Sequence, residues 1–225
     1  MVNKLKEIIQ YLSQFVTEER FELFKNIVEK RTNWCTVALE DIYQSQNASA
    51  VLRTCDCFGV QNVHIIENQY KFNVNPDVAL GASQWLSLNY YNKEGENNTL
   101  NAINSLKNKG YRIVATIPRK NAVSLHNFDV EKGKFALFFG SEMPGLSKIV
   151  IDNADEFLHI PMVGFTESFN ISVSAAICTH HLRWKLEQSN IKWKINDKEK
   201  EEILFNWLKT SIKSSDLIIE KYLTK

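Results

Sequence analysis

The chain has 225 residues, 44% of them hydrophobic and 24% charged, with a formal net charge of +1. That balance suits a globular protein with a sizeable core, and it excludes a disordered chain or one that holds nucleic acid by global basicity. No apolar run approaches the roughly 20 residues of a membrane span, and residues 1–7 lead into a charged amphipathic segment without a signal-peptide core, which reads as cytoplasmic.

Leu5, Ile8, Ile9, Leu12, Phe15 and Val16 recur at helical spacing. Phe21, Phe24, Ile27 and Val28 do so again after Thr17, a candidate N-cap. Residues 35–39 form a short apolar strand. Residues 46–58 read as a helix, with Gly59 closing it. A second strand covers 63–66, then a loop and a partly helical stretch lead to a candidate edge strand at 88–91. A helix over 99–109 ends at Gly110, followed by strands at 111–116, 135–139 and 157–160. The 135–139 run is apolar throughout, as a parallel strand buried on both faces should be. Residues 172–187 predict a helix, 189–197 a linker, and two more helices run from about 197 to 209 and 214 to 223. Alternating strands and helices predict an α/β fold with a largely parallel sheet.

Charge divides the chain mildly. Residues 1–33 sum to +1, residues 34–190 to −2 and residues 191–225 to +2. This suggests an N-terminal helical extension (1–33), a central domain (34–190) and a C-terminal helical extension (191–225). The charge pattern permits an RNA partner without requiring one. Cys35, Cys55, Cys57 and Cys178 contain no Cys-x-x-Cys pair and read as buried reduced thiols. His180 and His181 are helical neighbours about 100° apart, a poor arrangement for one shared metal, and no metal site is expected. No Gly-x-Gly-x-x-Gly follows the first strand and no P-loop is present, which disfavours a dinucleotide or P-loop nucleotide site.

Three clusters lie at strand-to-helix junctions, where α/β proteins bind ligands. In the first, Asn47-Ala48-Ser49-Ala50-Val51-Leu52-Arg53, Asn47 and Ser49 suit a helix start, while Arg53 is either functional or one more surface arginine. The second, Gly140-Ser141-Glu142-Met143-Pro144-Gly145-Leu146-Ser147, sets a carboxylate between two glycines that allow a tight turn or a close ligand. The third runs Ile160-Pro161-Met162-Val163-Gly164-Phe165-Thr166-Glu167-Ser168-Phe169-Asn170-Ile171-Ser172. Ser168, Asn170 and Ser172 bring three polar side chains to a helix N-terminus, and capping needs only one.

In this order and spacing the clusters resemble the SpoU (TrmH) branch of the SPOUT RNA ribose 2′-O-methyltransferases, over roughly residues 34–190. Short extensions at both ends, and the segment Gly81-Ala82-Ser83-Gln84-Trp85, are similar to the TrmH-type enzymes that methylate guanosine 18 in the tRNA D-loop. The resemblance implies a SPOUT fold with a C-terminal trefoil knot, an exception to the rule against chain threading. It implies S-adenosylmethionine held near Thr116, Gly140, Ile160, Met162 and Phe169, the last standing where leucine is more usual. Catalytic positions map to Arg53, Asn47, Glu142, Ser168 and Asn170. In the family the arginine is proposed as general base. A guanidinium holds its proton to very high pH, so phosphate binding and alkoxide stabilisation suit Arg53 better. A homodimer with its sites near the subunit interface and a tRNA substrate are further implications. The alternatives are an rRNA 2′-O-methyltransferase and a catalytically silent RNA-binding relative, the latter disfavoured by the intact Arg53, Glu142 and Asn170.

Overall fold

The structure, a computed structural model, describes residues 2–119 and 121–224. The chain forms two compact units, one of residues 33–193 and one joining residues 1–32 to 194–225.

The larger unit is built on a sheet of seven strands in the order β3-β2-β1-β6-β4-β7-β5, every pairing parallel. The strands are β1 (Cys35–Glu40), β2 (Asn62–Ile66), β3 (Ser87–Tyr91), β4 (Arg112–Thr116), β5 (Val123–Ser124), β6 (Phe135–Phe139) and β7 (Glu156–His159). β6 lies between β1 and β4 and is buried at every residue, as its continuous apolar run predicts. Side chains alternate across it. Phe135, Leu137 and Phe139 join one hydrophobic core, and Ala136 and Phe138 the other.

Helices cover both faces. α3 (Ser45–Cys57) and α7 (Ile171–Gln188) pack Val51, Leu52, Cys55, Ala175, Cys178 and Leu182 into the first core. α5 (Asn98–Asn108) and α6 (Lys148–Asn153) give Ala102, Ile103, Leu106 and Val150 to the second. The four-residue α4 (Pro76–Ala79) and a 3-10 turn at Ala82–Gln84 fill the link to β3, an edge strand as expected.

The smaller unit contains α1 (Val2–Ser13), α2 (Glu18–Val28), α8 (Asp197–Ser211) and α9 (Ser215–Leu223). Thr17 caps α2 by accepting from the Arg20 N–H at 3.3 Å. Asn196 and Glu199 form a reciprocal capping box on α8 at 3.0 and 3.1 Å. Phe24 packs edge-on against Trp207 with ring centroids 5.7 Å apart.

Two expectations change. α3 begins at Ser45 behind Gln44, so Asn47 and Ser49 are not its caps. Asn47 is freed for other bonds, and the buried Ser49 hydroxyl accepts from the Asn75 N–H at 2.9 Å. Cys35, Cys55 and Cys178 are buried free thiols, but Cys57 is exposed. Two residues beyond Cys55 on a helix is a turn of about 200°, which carries Cys57 to the outer face.

His64 on β2 is buried, its Nδ1 3.1 Å from the Tyr91 hydroxyl. Burial, helped by the Lys109 charge, pushes its pKa down from 6.5 to about 4. The folded protein therefore keeps His64 neutral while the unfolded chain takes up a proton below pH 6.5, so stability is lost as pH falls from 6.5 toward 4. The loss is on the order of 3 kcal/mol. Urea unfolding across that range should show this slope in the parent and a flatter one in His64→Gln, and equal slopes would refute the assignment.

Candidate active site

A parallel sheet brings all its strand C-termini to one edge, so the loops after β1, β6 and β7 meet there although they are far apart in sequence. The loop after β6 is the tightest. A Cβ on Gly140 would stand 2.3 Å from the carbonyl carbon of Gly145 and 2.4 Å from the Leu146 nitrogen, so only glycine lets the loop fold back on itself. Gly145 adopts a φ of +88°, again a glycine conformation.

This loop is fastened from beneath by Glu40, a residue not singled out from the sequence. Glu40 is the last residue of β1 and only 2% exposed. Its carboxylate accepts from the Ser147 N–H at 2.8 Å, the Ser147 hydroxyl at 2.7 Å and the Thr99 hydroxyl at 2.6 Å. Ser147 in turn caps α6 through the Val150 N–H. An acidic residue ending an otherwise buried apolar strand was the available signal, since a buried carboxylate requires donors.

Above the clamp three of the candidate residues meet. Asn170 caps α7, its Oδ1 accepting from the Ser172 N–H at 2.9 Å and from the Ser172 hydroxyl at 2.6 Å. Its Nδ2 then points away from the helix and donates to Glu142 Oε1 at 2.7 Å and Asn47 Oδ1 at 3.1 Å. Asn47 Nδ2 donates to the same Glu142 oxygen at 3.1 Å and to Gln44 Oε1 at 3.0 Å. Capping and network formation are thus two halves of one amide, rather than separate tasks for separate residues.

The network borders a cleft of about 720 Å³, within the usual size range of small-molecule sites. Thr116, Gly140, Ile160, Met162 and Phe169 all line it, together with Glu142, Ser168 and Asn170. The Thr116 hydroxyl is committed to the Phe138 carbonyl at 2.7 Å, so it steadies the wall between adjacent strands. Cys178 forms part of the lining, and burial pushes its thiol pKa up to about 12. Arg53 stands apart. It lies six residues, about 9 Å, along α3 from Asn47, exposed and outside the cleft lining, its side chain making no hydrogen bond or ion pair among the described residues.

With three strand-end loops joined at this cleft, similarity to known proteins becomes informative. Residues 35–180 match the model of the SpoU rRNA Methylase family. The chain belongs to the SpoU methylase family. The matched span contains all three loops and every candidate site residue. The chain is 42% identical over 210 residues to a tRNA (guanosine(18)-2′-O)-methyltransferase of Borreliella burgdorferi, covering 93% of this SpoU-family chain and 94% of the relative. Among solved structures it resembles the A. aeolicus TrmH/SpoU tRNA modifying enzyme, with a TM-score of 0.76 at 25% identity over 88% of this chain and 98% of that one. It shares the fold of a Streptomyces viridochromogenes SpoU methyltransferase solved in complex with the cofactor AdoMet, with a TM-score of 0.59 at 17% identity over 73% and 65% of the two chains.

Glu40→Ala would leave the Ser147 and Thr99 donors without their acceptor. We expect a loss of about 2–4 kcal/mol in urea unfolding, and a smaller loss for Glu40→Gln, which retains one carbonyl oxygen. An unchanged unfolding midpoint in the alanine variant would show that the clamp contributes nothing.

Proposed function

We propose that this protein transfers a methyl group from S-adenosylmethionine to the ribose 2′-hydroxyl of guanosine 18 in the tRNA D-loop. The observation that carries the reading is the Asn47–Glu142–Asn170 network at the mouth of the cleft. It holds polar groups in fixed orientation beside a pocket of cofactor size. The substrate is inferred from the 42% identity with the Borreliella burgdorferi enzyme, which runs along nearly the whole of both chains.

The cleft suits S-adenosylmethionine in volume and lining. Ile117, Leu158, Ile160 and Phe169 offer apolar surface for an adenine ring, and Ser141, Ser168 and Ser174 offer hydroxyls. Gly140 keeps the loop backbone where a side chain would force it away. When bound, the cofactor supplies an electrophilic methyl on a sulfonium centre. The residues' work is to bring the ribose hydroxyl into line, and orientation of this kind is worth on the order of 7–11 kcal/mol at best. Asn47, Ser168 and Asn170 would orient the ribose, while Glu142, already accepting from both amides, fixes the loop that faces it. Arg53 would bind the adjacent phosphate through its guanidinium and stabilise charge developing on the 2′ oxygen.

The position of Arg53 outside the cleft favours a homodimer, in which the arginine of a second copy reaches the cleft of the first. Exposed Val163, Phe165 and Val173 beside the cleft and on α7 supply apolar surface for such a contact. The strand order β6-β4-β7-β5, with β7 inserted between two earlier strands, is compatible with a trefoil knot spanning the loops after β6 and β7. Residues 34–190 would be the methyltransferase domain, and the two flanking helical segments would assist RNA binding. No helix among the described residues is long and apolar enough to cross a membrane, in keeping with action on cytoplasmic tRNA.

Incubated with labelled S-adenosylmethionine, the protein should label an unmodified tRNA transcript and leave unlabelled one that carries 2′-deoxyguanosine at position 18. Labelling confined to rRNA would overturn the tRNA assignment in favour of an rRNA enzyme. Arg53→Ala should reduce transfer by roughly 10²–10³-fold while equilibrium dialysis shows cofactor binding within about twofold of the parent. Loss of cofactor binding instead would mean that Arg53 has been given the wrong role.

A further inference from the structure

Two tyrosines beside the network have no part in the chemistry above. Tyr43 is 71% exposed and Tyr70 38% exposed, and their rings meet edge to face with centroids 5.1 Å apart and an interplanar angle of 71°. We propose that Tyr43 and Tyr70 form a stacking platform for an unpaired RNA base next to the methylated nucleotide, an inference that rests on the RNA methyltransferase reading.

The platform is built rather than incidental. Asp41, held at a φ of +49°, accepts from the backbone N–H groups of Asn68 and Gln69 at 2.7 and 2.8 Å and, more weakly, of Tyr70 at 3.4 Å. One carboxylate therefore fixes the Tyr70 loop against the segment that carries Tyr43. Glu67 similarly accepts from the Phe72 N–H at 2.9 Å. Both nearby carboxylates are thus engaged with N–H donors, and the side chain of Lys71, next to Tyr70 in sequence, is exposed. Tyr70 borders a small cavity together with Ile42, Ala48 and Phe72, so one side of it faces apolar surroundings. Tyr43 gains no burial that would explain its placement.

The location relates the pair to the reaction. Tyr43 directly precedes Gln44, whose side chain accepts from Asn47. A ribose presented to the network thus brings its neighbouring nucleotide toward Tyr43. Unpaired bases in RNA loops stack on exposed aromatic side chains, so a base beside the target nucleotide would find a stacking face on this pair. Close by in sequence are the exposed side chains of Gln46 and Gln69. Amides of this kind suit base edges. A pair of rings in such a polar rim is far short of the roughly 800 Å² per partner of a stable protein interface.

The test uses the full-length protein and a tRNA transcript labelled with fluorescein at one end, with binding read by anisotropy and transfer read separately. Tyr43→Ala should weaken RNA binding about tenfold or more. It should raise the KM for tRNA correspondingly and leave kcat at saturating tRNA and cofactor affinity within about twofold. Tyr43→Phe, which keeps the ring, should match the parent within about twofold, and Tyr70→Ala should fall in the same direction as Tyr43→Ala. The platform is overturned if Tyr43→Ala binds as the parent does, or if Tyr43→Phe is as weak as Tyr43→Ala. A changed oligomeric state in light scattering also overturns it, because the pair then packs against a second copy. A parent that binds the transcript without methylating it overturns the tRNA methylation reading alone, and a parent that does not bind it overturns the platform too.

Discussion

Glu40 ends β1 inside the protein, where a carboxylate must be matched by donors or its burial becomes costly. The donors come from Ser147 and Thr99, and the match decides where the loop after β6 can lie. With Ser147 fixed, the loop has to double back within a few residues, which brings Gly140 against the backbone of Gly145 and Leu146. Glu142 is then carried at the bend, facing α3 and α7. The cleft wall and the polar network therefore share one anchor beneath the sheet edge.

The network has little freedom once that anchor is set. The Asn170 oxygen is claimed by the first turn of α7, so its amide nitrogen must face outward, and Glu142 is the acceptor it meets. Asn47 completes the arrangement with its oxygen toward Asn170 and its nitrogen toward Glu142. Each amide has one sensible orientation, because reversing either would set donor against donor or oxygen against carboxylate. Such a network is pre-organised, and a site that orients a hydroxyl before reaction benefits from groups that need not rearrange during it.

Much of the fold was legible because its strands are pure cases. The run Phe135–Phe139 has no polar residue, so it announces a doubly buried strand, and the helices carry clear apolar stripes. Failures occurred where local pattern is weak. β5 has only two residues, too few for a period. α6 contains Ile149, Val150 and Ile151 in succession, a β-branched run that resembles a strand and hides a six-residue helix. Gln44, a poor capping residue, stands where α3 begins, which made Asn47 look like the cap. At the site, the resemblance of three motifs to a known family pointed to Asn47, Glu142 and Asn170, but their contacts join positions 47, 142 and 170, and no single-sequence pattern encodes that meeting. Glu40 escaped notice because its donors lie 59 and 107 residues away.

The cleft that would hold an alkylating sulfonium also contains a sulfur nucleophile. Thiolates accept methyl groups far more readily than hydroxyls do, so an ionised cysteine in that wall would consume the donor and block the pocket with a thioether. Burial of Cys178 raises its pKa to about 12. At neutral pH the thiol therefore keeps its proton. The same close packing of α7 on the sheet that shapes the wall would thus keep it inert toward an alkylating donor held there.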